Sequence, residues 1–202
     1  ISRRLLELPY LKEIKAWDMT MTGSGSVLNL YMDAKKSSQV DVLVGFLPAA
    51  AGTGRTKLQL TGEANINLKN ALGSGETIGV NWQQIQVKSP RLHLLYEHPF
   101  VFKSPLGLDF NFDLLKKDSS FINLDTRFGV QYLTTGRQSG KVFFQHFFTN
   151  VLPGGIDTAQ IKTSKRLPSY IDVNTSNAGI NYKYNNTDYR VNPRKGNEFA
   201  VT

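Results

Sequence analysis

The chain has 202 residues, 40% hydrophobic and 20% charged, with a formal net charge of +8 and a mean hydropathy of -0.29. That length suits one large domain or two small ones, and no run approaches the roughly 20 apolar residues of a spanning helix, which excludes a helical membrane protein and leaves a strand-built barrel open. Cysteine is absent, so there is no disulfide framework and no thiolate metal site; Lys and Arg are scattered, without the dense basic run of a nucleic-acid-binding tail.

The opening ISRRLLELPYL lacks the uninterrupted apolar stretch and small-residue cleavage site of a signal peptide. It predicts a short helix over 1–11 stopped near Pro9, with Ile1, Leu5 and Leu8 on one face. There is no initiator Met, and the chain closes on the strand-like EFAVT. A piece of a longer protein is the expectation. Two strand patterns follow, at about 13–22 and 26–35, turned by Gly23, Ser24 and Gly25. Helix plus hairpin makes a small α+β unit, too short for a complete domain.

From residue 39 the texture changes to strands only. VDVLVGFLP (40–48) is the first. In 58–68, Leu58, Leu60, Gly62, Ala64, Ile66 and Leu68 oppose Gln59, Thr61, Glu63, Asn65 and Asn67. The turn 70–76 leads to a strand over 77–87, and Lys88, Ser89 and Pro90 turn into 91–98. LGLDFNFDL (106–114) alternates Leu108, Phe110, Phe112 and Leu114 with Asp109, Asn111 and Asp113, the period of a strand with one apolar and one polar face. Strands over 121–133, 141–148 and 177–185 and a final short one complete the series, with a long polar loop at about 150–172. About nine consecutive strands joined mainly by tight turns read as an up-and-down antiparallel meander.

The polar faces are mostly Asn, Gln, Thr, Asp and Gly, rather than the Lys and Glu of a water-facing sheet. Trp82, Tyr96, Phe128, Tyr132, Tyr182 and Tyr184 are expected toward strand ends on the apolar faces, as at the rims of a membrane barrel. Short turns set against one long loop show the asymmetry of outer-membrane barrels. A soluble sandwich or a lipocalin-like barrel shares the alternation, so periodicity favours lipid on the apolar side without deciding it.

The motifs carry more weight. The run LPYLKEIKAW…VLNLYMDAKKSSQVDVLVGF resembles the end of a POTRA domain passing into the first barrel strand of the BamA/TamA-type outer-membrane protein assembly factors. LTGEANINLKNALGSGETIGVNW, with Asn70, Leu72-Gly73 and Gly75-Glu76 in its turn, resembles that superfamily's second and third strands. SPRLHLLYEHPFVFKSPLGLDFNFDL, with its Pro99-Phe100 turn, resembles the next hairpin. NNTDYRVNPRKGNEFAVT, with Asp188, Arg190, Pro193 and Gly196, resembles a later turn. The four motifs are collinear and cover essentially the whole chain.

The resemblance implies an all-β, antiparallel, up-and-down transmembrane β-barrel. Residues 1–37 would be the C-terminal part of a POTRA-like periplasmic domain. Residues 38–202 would supply about nine strands of a roughly sixteen-stranded outer-membrane barrel. The implied activity is insertion or transport of other barrel proteins, without ATP, by pairing client strands at a lateral seam. The first barrel strand would carry that pairing, through Val40, Val42, Val44, Gly45 and Phe46, while Leu108, Phe110, Phe112 and Phe128 would face lipid. The partners implied are nascent outer-membrane barrel proteins, periplasmic or lipoprotein accessory factors, and outer-membrane lipid or lipopolysaccharide. No catalytic residue, cofactor, metal or nucleic acid is implied. A passive porin-like barrel, a two-partner-secretion transporter, and a secreted enzyme fused to such a barrel remain as alternatives.

The other chemistry-bearing residues read as structural. Asp109, Asp113, Asp125 and Glu63 show no paired-carboxylate geometry and fit polar groups of a wet interior. His93, His98 and His146 lack metal-ligand spacing, and no serine sits in a nucleophile elbow. Lys88, Arg91, Lys116 and Lys117 fall near outside loops in this topology, as solvated turn charges or as contacts for lipopolysaccharide phosphates. NPRKG is a single short basic turn.

Overall fold

The computed structural model describes residues 10–23, 25–47, 59–86, 88–135, 138–153, 163, 172–187 and 194–202. Among them, β1 (Leu11–Thr22) and β2 (Gly25–Ala34) form a separate hairpin. The remaining strands are β3 (Gln39–Leu47), β4 (Gln59–Lys69), β5 (Thr77–Gln86), β6 (Ser89–His98), β7 (Leu106–Lys117), β8 (Phe121–Thr135), β9 (Gln138–Val151), β10 (Val173–Asn185) and β11 (Glu198–Val201). These nine lie side by side in sequence order in one antiparallel sheet. The expected meander is therefore present, as an open sheet with β3 and β11 at its edges. One 3-10 turn, Val101–Lys103, links β6 to β7. No helix among the described residues is long and apolar enough to cross a membrane, which says nothing of crossing by strands.

Boundaries differ from the sequence reading in two places. The expected helix over 1–11 cannot include its last residues, because Tyr10 is a turn and Leu11 already opens β1; residues 1–9, Ser24, Leu58, Pro48, Asp188, Arg190, Pro193 and most of the loop 150–172 lie outside the described residues. β9 and β10 also run longer than their alternation suggests. Gln138, Ser139 and Gly140 pair with Tyr184, Lys183 and Tyr182. Ladder pairing continues past the point where hydrophobic alternation stops, because backbone groups pair whatever the side chain.

Register carries the two faces through the sheet unbroken. On one side Ile66, Val80, Leu94 and Phe112 lie opposite one another in turn, and on the other Asn65, Asn81, His93, Asp113 and Asp125 do. Among the described residues no hydrophobic side chain is buried, while Glu76 and Asp109 are. This is the inverse of a water-soluble sheet, whose stability rests on removing apolar surface from water.

Candidate functional site

The polar face is the crowded one, and its glycines show why. A Cβ at Gly129 would stand 2.5 Å from Asp109 Oδ1 and 2.5 Å from Lys141 Cε, and one at Gly179 would stand 2.5 Å from the Phe143 ring. Gly79 meets Leu95 and Gly45 meets Thr61 Oγ1 in the same way, at 3.1 and 2.9 Å. All four lie on the polar face. Large neighbours fold inward over missing side chains there, whereas Val40, Val42 and Val44 on the apolar face stand 60–67% exposed. Convergence on one face and splay on the other mark the polar face as the concave side of a coiled sheet.

Across that concave face Glu63, Asp109, Asp113 and Asp125 have cross-strand partners. Gln83 Nε2 donates to Glu63 at 3.0 Å, and Gln145 Nε2 donates to both oxygens of Asp125 at 2.9 and 2.8 Å. Lys141 Nζ pairs with Asp109 at 2.5 Å, and His93 Nδ1 lies 3.0 Å from Asp113. The Arg127 guanidinium lies 5.4 Å from the centre of the Phe143 ring. Asp113 and Asp125 face each other in register, a like-charge placement that is unfavourable alone. His93 on one flank and Gln145 on the other offset it. On the apolar face His98 contacts the Tyr96 hydroxyl and His146 the Ser176 hydroxyl, each at 3.0 Å. The expected lumen-type acids Glu63, Asp109, Asp113 and Asp125 thus each have a side-chain partner across the strands. The sequence left the partners unnamed: Lys141 is 32 residues from Asp109.

The turn between β4 and β5 is built around a buried acid. Asn70, Gly73 and Gly75 all adopt positive φ, at 54, 82 and 81°, the region that favours Gly and Asn. The Glu76 carboxylate accepts the backbone N–H groups of Leu72 and Ser74, and Asn70 Oδ1 accepts that of Gly75 at 2.7 Å. Burial opposes ionisation of Glu76. The N–H donors from Leu72, Glu76 itself and Ser74, with His98 nearby, nevertheless hold its carboxyl below the ordinary range. The hairpin lies against the same turn: the Tyr10 hydroxyl is 2.9 Å from where a Gly75 Cβ would be, and within the hairpin Lys35 N–H donates to the Tyr10 carbonyl at 2.8 Å.

The edge strand β3 begins a few residues after that hairpin. It pairs with β4 without a bulge, Gln39 opposite Asn67 through Leu47 opposite Gln59, and its other side has no strand partner among the described residues. Val40, Val42, Val44 and Phe46 project from the apolar face, Gly45 from the concave one. On the concave side of β3, Gln39 and Asp41 are followed by Leu43, Gly45 and Leu47, so only its second half is apolar on both sides. Edges are normally blunted by charges, Pro, bulges or brevity; Gln39–Leu47 carries one inward charge, Asp41, and none of the other devices. The opposite edge, β11, has four residues. Leu108, Phe110, Phe112 and Phe128 all lie on the apolar face, and Phe110 sits directly between Tyr96 and Phe128. Tyr132, Tyr182 and Tyr184 lie near the strand ends on the hairpin side, but Phe128 is mid-strand, opposite Phe110 and Phe144; it belongs to the middle of the band rather than its rim.

No family model matches the sequence, and no curated protein matches it. The fold is similar to the crystal structure of BamA from Haemophilus ducreyi lacking POTRA domains 1–3, with a TM-score of 0.52 and 14% identity. The match covers 95% of this chain and 38% of that one. The likeness is one of fold: an antiparallel strand succession like that of the BamA barrel, over somewhat more than a third of that chain's length.

Proposed function

We propose that the chain is the first part of an outer-membrane barrel that receives strands of client barrel proteins along β3, without ATP, with the β1–β2 hairpin as the end of a periplasmic POTRA-like domain. The observation that carries the reading is the edge itself: nine residues with a continuous apolar outer row of Val40, Val42, Val44 and Phe46, paired to β4 without a bulge and with no strand partner on the other side among the described residues. Such an edge offers unpaired N–H and C=O groups to an incoming strand. The BamA-like strand succession and the lack of a buried apolar side chain among the described residues support a bacterial outer-membrane setting, since only a closed barrel of strands satisfies its backbone in hydrocarbon. The same features fit a chain without enzymatic activity.

A passive pore or a two-partner-secretion barrel is the second reading, favoured by the charged and polar side chains of the concave face. A disulfide between β3 and the last barrel strand of the complete protein separates the two. Client insertion requires that client barrels stop assembling while the tethered protein stays folded, and that reduction restores assembly. A plain pore keeps conducting when locked. Unimpaired client assembly with complete tethering rejects pairing at β3.

A further inference from the structure

The turns of the sheet fall at two ends, and their charges differ in kind. At the hairpin end the charges are of both signs and several are engaged: Glu76 by its own turn, Asp109 by Lys141, Lys183 by Glu198 at 3.2 Å, while Lys69 and Glu97 make no ion pair among the described residues. At the opposite end, where β5 turns into β6 and β7 into β8, Lys88, Arg91 and Lys116 make no ion pair among the described residues. The acid nearby, Asp118, is occupied by the Ser120 amide and hydroxyl at 2.8 and 2.7 Å. The Asp118 amide donates to Ser89 Oγ at 2.9 Å and so ties the two turns together.

Between them lies a groove of about 290 Å³ lined by Gln83, Ile85, Arg91, Leu115, Lys116 and Lys117, among others. Its floor is mixed in a specific way. Arg91, Leu115 and Gln83 share the concave face, and Ile85 there is 62% exposed. Lys116 faces the other way, one step beyond Leu114 on the apolar face and opposite Ile122. The cations therefore straddle the rim where the outward apolar band ends. Lys117 lies 5.9 Å from the Phe121 ring centre, which holds its stem toward the turn. A Lys at the end of an apolar band places its ammonium at headgroup level, and Arg binds phosphate oxygens in a fork.

We infer that this rim groove binds the phosphate of an anionic lipid, with Arg91, Lys116 and Lys117 on the phosphate and the acyl chains descending over Leu114 and its outward neighbours. The inference rests on the membrane-barrel reading above. A lipid is the occupant the groove fits, because the cations approach from both faces of one rim and the apolar path beside Lys116 leads into the band. A free phosphate would use the cations and leave that path empty.

Trp82 reports on the site. It lies on the apolar face opposite Leu92, next in sequence to Gln83, and Leu92 adjoins Arg91. The complete protein, with every other tryptophan replaced by Phe, is refolded into zwitterionic phosphatidylcholine vesicles. These contain equal mole fractions of brominated phosphatidylglycerol or brominated phosphatidylcholine. The expected result is stronger quenching of Trp82 by the brominated anionic lipid, each cation adding up to about a fivefold preference. The preference should fall stepwise in Arg91→Gln and in the Arg91→Gln/Lys116→Gln/Lys117→Gln variant, and persist in Lys69→Gln at the opposite end. Arg91 is exposed, so the single variant keeps the test valid where the triple variant does not fold. Equal quenching by both lipids overturns the site and leaves the barrel standing. No quenching by either overturns the outward placement of Trp82, and with it both readings. Loss of the preference on adding millimolar inorganic phosphate at constant ionic strength overturns a lipid in favour of a free anion.

Discussion

An arginine scan along β7 tests whether the apolar face meets lipid. Leu106, Phe110 and Leu114 all project from that face. Leu106 to Leu114 spans about 27 Å of strand at about 3.4 Å per residue, and with a tilt of about 40° the rise is about 21 Å. That is close to the height of an outer-membrane apolar band, about 25 Å, and it puts Phe110 near the middle and the other two near the rims. Phe110→Arg should then cost about 2–4 kcal/mol and Leu106→Arg about 0–1 kcal/mol. Phe112→Arg, near the middle, should also cost a few kcal/mol. Asn81→Arg on the concave face is the control and should be nearly neutral. Phe110→Ala sharpens the contrast: a protein core would be left with a cavity costing about 3–5 kcal/mol, whereas lipid chains fill the gap, so in a bilayer truncation should cost less than Phe110→Arg. The assay is urea unfolding of the complete barrel in vesicles, read by tryptophan fluorescence and by heat-modified gel mobility. A cost that is flat along β7, or larger for Phe110→Ala than for Phe110→Arg, refutes the lipid-facing assignment.

Cysteines placed at Phe110, Phe112 and Phe128 should resist water-soluble thiol reagents in the bilayer, while those at Asn111 and Asp125 react; the reverse pattern means a soluble barrel. Glu76→Gln should lower stability by about 1–3 kcal/mol at neutral pH, since two N–H groups lose an ionised acceptor. Because the folded carboxyl lies below its ordinary value of about 4.3, its contribution is present above that pH and disappears as pH falls through the folded value. The wild type and Glu76→Gln should therefore converge in urea midpoint under acid, and a gap that widens below pH 4 contradicts the buried-acceptor account. Gly129→Ala should destabilise by about 1–3 kcal/mol through collision with the Asp109–Lys141 pair, whereas Gly140→Ala, with nothing within 4 Å of the new Cβ, should be neutral. Equal unfolding midpoints for the two glycine variants would remove the close-packed concave face from the argument.

What could be read in the sequence was what is local. Period-two alternation in 106–114 assigns faces because it needs no knowledge of the neighbouring strand, and Phe110 and Asn111 came out on opposite sides as expected. The turn 70–76 showed itself through its glycines and Asn70, yet the role of Glu76 did not. A carboxylate followed by a strand reads as an ordinary polar start until the turn closes and aims the N–H groups of Leu72 and Ser74 at it. Pairings such as Asp109 with Lys141 depend on registers accumulated across β7, β8 and β9, and Gly129 between them reads as a weak strand residue until the ion pair is seen lying over it. The edge status of β3 was accessible only through the family resemblance, because VDVLVGF looks the same at an edge or in the middle of a sheet.

The distribution of engaged and unengaged groups then narrows where activity can reside. On the concave face Glu63, Asp109, Asp113 and Asp125 are committed to partners and the space at Gly79, Gly129 and Gly179 is filled by neighbouring side chains, so that face is organised to hold curvature. The apolar face carries, among the described residues, the polar contacts of Tyr96 with His98 and His146 with Ser176. β3 differs from both: over residues 42–47 its side chains are apolar on either side, its inward Gly45 lies under Thr61, and its edge, without a strand partner among the described residues, begins a few residues after the hairpin whose Tyr10 lies beside the 70–76 turn. A hairpin resting on the first turn of the sheet and a largely apolar edge beside it suit strand addition, since the incoming chain must find its register from a fixed starting point. Loosening that contact should therefore blur register before it weakens the fold.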